Sequence, residues 1–189
     1  MSELPIGIFD SGIGGLTIQK KINNFLPNEN LIYFSDNFNS PYGNKSGKEL
    51  DKICFNNCEF LINKKCKLII VACNTATTNC IKKLRLKFKI PFIGVEPAIK
   101  PAAKKTKSGK IGILATENTL RSKQFNSISE IHTKDVIVVE ENAKGLVELI
   151  ERGVFNGKDL RLILIKHLNR MIEIGIDQLV LGCTHFPLI

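Results

Sequence analysis

Two short segments carry the residue types that proton-transfer chemistry needs, Cys73-Asn74-Thr75 and Cys183-Thr184-His185. Each follows an apolar run that ends in a small residue, Ile70-Val71-Ala72 in one case and Val180-Leu181-Gly182 in the other. That pattern predicts a thiol at the carboxyl end of a buried strand, at the start of a turn or helix, where the thiolate is favoured. A free thiol with a pKa of about 8.5 is only a few per cent ionised at neutral pH, so a partner helps. His185 stands two residues from Cys183, and Asp10 reaches Cys73 if their strands are neighbours. Asn74, Thr75 and Thr184 add side-chain and backbone donors for a carboxylate. Two thiols facing each other across a cleft suit inversion at a carbon acid. One thiolate removes the proton, and the opposite thiol returns one to the other face. The weak acidity of an amino-acid Cα–H is the obstacle. General acid–base catalysis supplies about 10² to 10⁴, so fixed donors around the carboxylate must supply much of the rest.

A third segment, Asp10-Ser11-Gly12-Ile13-Gly14-Gly15, follows the first apolar run. Its glycines permit close backbone approach, and a helix start here offers N–H groups to an anion. The dinucleotide fingerprint G-x-G-x-x-G fails, because its last position is Thr17, and no Gly-Lys pair followed by Ser or Thr forms a Walker A loop. A carboxylate fits this turn as well as a phosphate does. Asp10 adds an acid that could receive an ammonium group or orient a proton carrier.

Short apolar runs alternating with amphipathic stretches must position these groups. Strands are predicted at 6–9, 31–34, 68–72, 91–95, 110–114, 136–139 and 178–181. Helices are predicted at 16–25, 48–63, 75–87, 98–105, 118–129, 145–151 and 160–173, with a polar loop at 36–46. This βα rhythm implies mainly parallel sheets flanked by helices. It also repeats. Ile6-Gly7-Ile8-Phe9 resembles Ile111-Gly112-Ile113-Leu114, and the run ending in Cys73-Asn74-Thr75 resembles the run ending in Cys183-Thr184-His185. Two related α/β lobes, 1–96 and 97–189, would each place one cysteine at the carboxyl end of a strand, with the site in the cleft between them.

The chain has 189 residues, 43% hydrophobic and 24% charged, an ordinary globular composition. No apolar run approaches the roughly 20 residues of a membrane helix, and no signal peptide precedes Asp10, so a cytoplasmic protein is expected. The net charge of +9 is shared, +5 over 1–96 and +4 over 97–189, with no basic arm. The densest run, Lys82 to Lys89, reads as the last turns of a helix, where cations suit the macrodipole. Nucleic acid is therefore not an expected partner, while a small anionic substrate is compatible with the charge. Cys54, Cys58, Cys66 and Cys80 read as small packing residues, since neither a disulfide framework nor a metal-ligand spacing is present. The absence of C-x-x-C argues against a thiol redox protein.

These residues resemble the glutamate racemase family. The likeness rests on Phe9-Asp10-Ser11-Gly12-Ile13-Gly14-Gly15-Leu16, Pro41-Tyr42-Gly43, Val71-Ala72-Cys73-Asn74-Thr75-Ala76, Leu114-Ala115-Thr116 and Leu181-Gly182-Cys183-Thr184-His185-Phe186-Pro187. It implies a cofactor-independent enzyme that interconverts L- and D-glutamate and supplies D-glutamate for peptidoglycan. It implies Cys73 and Cys183 as proton carriers, Cys73 acting on the D-enantiomer, assisted by Asp10 and His185. It implies substrate contacts from Asp10, Ser11, Pro41, Tyr42, Gly43, Asn74, Thr75, Thr116, Glu151, Thr184 and His185. Dimerisation and a response to a cell-wall precursor are traits of many members. Two departures stand out. Glu148 replaces a Pro usual in the 145–151 stretch, which is expected to bear on local geometry rather than chemistry. Family members are also longer, and their extra segment returns to the first lobe, so an incomplete first lobe of low stability is expected. Two alternatives are an aspartate racemase of the same family and an inactive remnant that keeps the fold.

Overall fold

A computed structural model describes residues 3–189. Four parallel strands form the first sheet: β1 (Ile6–Asp10), β2 (Leu31–Ser35), β3 (Leu68–Val71) and β4 (Phe92–Gly94), in the order β2-β1-β3-β4. The second sheet holds β5 (Lys110–Ala115), β6 (Ile137–Asn142) and β7 (Gln178–Gly182), in the order β6-β5-β7. Its three strands are also parallel. The internal repeat is thus a repeat of topology. β1 and β5 are the central strands, and each has beside it the strand that leads into a cysteine.

Helices α1 (Leu16–Phe25), α2 (Gly47–Asn63), α3 (Asn74–Lys87) and α4 (Ile99–Lys105) connect the first half. The second half carries α5 (Glu117–Leu120), α6 (Lys123–His132), α7 (Leu146–Glu151) and α8 (Lys158–Ile174). Local chemistry sets their limits. Ser46 accepts from the Glu49 N–H at 3.3 Å and starts α2. Arg85 and Lys87 lie in the last turn of α3, as the macrodipole argument requires. Gly175 ends α8 at φ 81°, a left-handed conformation that suits glycine.

Strands β1, β3 and β5 read as continuous apolar runs because both of their faces are covered, whereas β7 leaves Leu179 and Leu181 exposed. Phe9, Ile69 and Val71 pack with α2 and α3 residues such as Leu50, Leu61 and Leu84. Cys54, Cys58, Cys66 and Cys80 are buried in this same cluster, in the packing role expected of them. In the second lobe, Ile111, Ile113 and Val180 meet Ile99, Ala102 and Phe125, while Leu114 faces Leu146, Ile150 and Phe186. Among the described residues, no helix is long and apolar enough to cross a membrane.

Two expectations are corrected. The single helix at 118–129 is broken at Arg121 and Ser122, because Ser122 is extended and its Oγ accepts from the Phe125 N–H at 3.1 Å. The Ser122 side chain thereby starts a new helix instead of continuing the old one. The loop at 36–46 contains two 3₁₀ turns, Asn37–Asn39 and Tyr42–Asn44, and buries Asp36 and Tyr42.

Candidate active site

Three strand ends converge where the two sheets face each other. β1 delivers Asp10, β3 leads through Ala72 to Cys73, and β7 leads to Cys183. Both thiols are buried, Cys73 at 5% and Cys183 at 8% exposure. Cys73 caps α3, and its Sγ lies 4.0 Å from Ser11 Oγ. Burial, with a further contribution from the nearby Asp10 charge, pushes the Cys73 thiol up to about 12. The Ala76 and Thr75 N–H groups and the Ser11 hydroxyl act against that rise. Burial raises Cys183 well above the ordinary thiol value, against the pull of the His185 and Phe186 N–H groups. The expectation that these positions favour the thiolate is therefore corrected. The helix-start donors are present, but desolvation outweighs them.

The glycine-rich turn behaves differently from an open anion site. Asp10 is fully buried, and its Oδ2 accepts from the N–H groups of Gly15 at 3.0 Å and Gly12 at 3.3 Å. The Ile13 N–H donates to Glu151 Oε1 at 2.9 Å. The protein's own carboxylates thus occupy the amides that a substrate carboxylate was expected to use. Asp10 Oδ1 also accepts from Thr184 Oγ1 at 3.2 Å, so one carboxylate ties the two lobes together. Burial raises the Asp10 pKa, opposed by the charge of His185 and by these three donors.

A relay runs from Glu151 to Cys183. Glu151 comes from the last turn of α7, and its Oε1 makes a short hydrogen bond to His185 Nε2. The other ring nitrogen, Nδ1, lies 3.6 Å from Cys183 Sγ. With Nε2–H donating to the carboxylate, the Nδ1 lone pair faces the thiol, and the S–H donates to it. Gly14 makes this fit possible. A Cβ there would lie 2.5 Å from His185 Nδ1 and 2.7 Å from Thr184 Oγ1.

The remaining expected residues form the flank of the cleft. Thr75 Oγ1 hydrogen-bonds Thr116 Oγ1 at 2.8 Å and Thr119 Oγ1 at 3.2 Å, across the lobes. Asn74 is drawn the other way, its Nδ2 donating to the Val95 carbonyl at 3.0 Å. Tyr42 turns its ring inward, and its hydroxyl donates to Asp36 Oδ2 at 2.5 Å. Its side chain is thus a structural anchor, while Pro41 and Gly43 from the same turn line an interlobe cavity of about 250 Å³. Thr116, Ala143, Val147 and Glu148 are among the residues of the second lobe that line it, and neither thiol does. Glu148 stands in the first turn of α7, where an acid suits the macrodipole.

Sequence reasoning singles out Thr116 but misses Thr119 and Asn118. The spacing of Thr116 and Thr119 on a short helix is the one signal that could have found the former. The backbone N–H of Ile13 carries no side-chain signal at all. Among the described residues, no three His, Cys, Asp or Glu side chains converge to hold a metal ion.

The family model for Asp/Glu/hydantoin racemases matches residues 17–189. The glutamate racemase of Clostridium novyi is 44% identical over all of this chain and 73% of its own length. That of Ralstonia pickettii is 42% identical over 98% of this chain and 66% of its own. Among solved structures, Escherichia coli glutamate racemase, in complex with L-glutamate and the activator UDP-MurNAc-Ala, matches with a TM-score of 0.89. It is 34% identical, and the match covers 98% of this chain and 71% of that one. The Francisella tularensis glutamate racemase in complex with D-glutamate matches with a TM-score of 0.86 and 34% identity, over 100% of this chain and 72% of that one. The aspartate racemase of Picrophilus torridus, 16% identical with a TM-score of 0.65, shares the fold alone.

Proposed function

The chain belongs to the Asp/Glu/hydantoin racemase family, and from that premise we propose that it interconverts L- and D-glutamate by two-base proton transfer between Cys73 and Cys183. One observation supports this reading above the rest. Two buried thiols end equivalent strands of two sheets with the same topology, and one of them faces an imidazole acceptor. The reaction needs one thiolate and one thiol. Cys183 passes its proton to His185 Nδ1, and Glu151 stabilises the imidazolium. Cys73 has a harder start, its proton passing to Asp10, the carboxylate assigned to assist it. A thiol raised to about 12 is ionised to roughly one part in 10⁵ at pH 7. The ammonium group of the incoming amino acid offsets the Asp10 charge and lowers both thiols toward working range. The thiolate then takes the Cα proton, and the opposite thiol protonates the carbanion from the other face. Charge, atoms and protons balance without a cofactor.

Cys73 is assigned to the D-enantiomer and Cys183 to the L-enantiomer. The substrate-contacting set comprises Asp10, Ser11, Pro41, Tyr42, Gly43, Asn74, Thr75, Thr116, Glu151, Thr184 and His185, with Tyr42 acting through its backbone. The proposed lobes are 1–96 and 97–189, a division supported by the end of β4 at Gly94 and by the packing of α4 on the second sheet. The product D-glutamate serves peptidoglycan synthesis in the cytoplasm. A homodimer and a cell-wall precursor as regulator belong to the same proposal, and sedimentation and activity titration test them.

Incubation with each glutamate enantiomer in D₂O tests the reading. Inversion and α-deuterium incorporation are expected from both enantiomers, and aspartate is run in parallel. Cys73→Ala and Cys183→Ala are each expected to abolish inversion. No exchange from either glutamate enantiomer overturns the activity, and full inversion by Cys73→Ala overturns the two-thiol assignment.

A further inference from the structure

Asn118 projects from α5 of the second lobe into the first. Its Nδ2 donates to two main-chain carbonyls, Lys45 at 2.7 Å and Tyr42 at 3.0 Å. An amide has two N–H donors, and both are used here on one 3₁₀ turn. The amide cannot be reversed, because its oxygen would then face two carbonyl oxygens. The Asn118 main-chain carbonyl accepts from Asn79 Nδ2 of α3 at 3.1 Å. All three partners belong to the first lobe.

The turn that Asn118 grips is already fixed on its inner side, through the Tyr42 hydroxyl on Asp36 and Asn57. Tyr42–Lys45 therefore cannot follow Asn118 when the lobes part. The lobes separate there only if the Asn118 hydrogen bonds break. The fit around the bonds is close, since a Cβ on Gly43 would lie 2.8 Å from Thr116 Cβ. The thiols themselves are buried, and Thr75, close to Cys73 in the chain, hydrogen-bonds Thr116 and Thr119 on either side of Asn118.

We propose that Asn118 is an interlobe latch, a positioning residue that holds the Tyr42–Lys45 turn against α5 and keeps the two lobes closed over the thiols. Two hydrogen bonds of ordinary strength set the closed population, so their loss raises the open fraction by about 5- to 150-fold. In the racemase reading, on which only the kinetic part rests, the latch governs substrate entry and retention rather than proton transfer.

Alkylation by iodoacetamide, resolved by mass spectrometry for each cysteine, tests the latch without substrate. In Asn118→Ala, Cys73 and Cys183 are expected to react about 5- to 150-fold faster than in the unaltered protein. Cys54, Cys58, Cys66 and Cys80, buried inside the first lobe, report on general loosening and are expected to react at unchanged rates. Asn118→Asp sets a carboxylate against both carbonyls and is expected to act in the same direction. Unchanged rates at Cys73 and Cys183 overturn the latch, and so does a parallel rise at all six cysteines. In the racemase assay, the latch weighs on free and bound protein alike, so substrate entry and exit both quicken while KM and kcat for glutamate are each expected to stay within about twofold. A fall in kcat at constant KM also overturns the latch. Absence of any racemase activity bears on the proposed function and leaves the alkylation result standing.

Discussion

Cys73 and Cys183 begin on the wrong side of neutrality for the work assigned to them. Both stand where helix-start amides should help the thiolate, yet burial dominates and lifts both. The consequence is testable at Cys73. A thiol held at about 12 stays protonated through the whole neutral range, and its thiolate fraction grows tenfold per pH unit. Alkylation of Cys73 in the substrate-free protein is therefore expected to accelerate about tenfold per unit from pH 7 to pH 10 without levelling. A plateau near pH 8.5 would show an ordinary thiol and remove the need for substrate charge. Cys183 differs because His185 supplies an acceptor at 3.6 Å. The two half-reactions thus start from unequal groups, although the strands that carry them are equivalent.

The turn between β1 and α1 joins the two lobes at the level of elements. Asp10 and Glu151 hold its amides, and His185 and Thr184 pack directly on Gly14. Gly14→Ala puts a methyl group inside contact distance of both residues, so they must move. Movement of about an ångström in a proton-transfer site costs roughly 10²-fold in rate. Racemase activity is expected to fall by about that factor, with the far-ultraviolet circular dichroism unchanged, since Gly14 lies in the turn before α1 and its φ is not positive. Retained activity would show that the second lobe yields at no cost. This turn was legible in the sequence as glycines after a strand, and so were the strand ends, because buried parallel strands read as plain apolar runs. The occupant of the turn was not legible. It is Glu151, 138 residues from the Ile13 amide, and no local pattern encodes a pairing at that distance. The break in the helix at Ser122 and the reach of Asn118 were hidden for the same reason. A serine cap competes with helix continuation only once Phe125 is pinned in the core, and an asparagine on a short helix is ordinary until the opposite lobe is in place.

Across the whole molecule, the buried thiols act together on stability. Burial raises Cys58, Cys73 and Cys183, and Cys54 is raised first by its hydrogen bond to Cys80 and then by burial. In the unfolded chain each returns to an ordinary value of about 8.5. Below that pH both states keep their protons and the contribution is complete. Above it the unfolded chain releases protons that the folded chain retains, so the native state loses ground toward the folded pKa values, about 12 for Cys73. Each group contributes a slope of up to about 1.4 kcal/mol per pH unit, negative with rising pH. The lysines that dominate the net charge of +9 remain largely protonated below pH 10 and do not reverse this trend. The unfolding midpoint, followed by calorimetry in reducing buffer, is expected to fall steadily from pH 8 to pH 10. Cys58→Ala removes one buried thiol away from the strand ends, and its midpoint is expected to fall less steeply over the same interval whatever its starting value. A flat profile in the unaltered protein, or an equally steep one in Cys58→Ala, would show that the buried thiols do not set the alkaline limit of the fold.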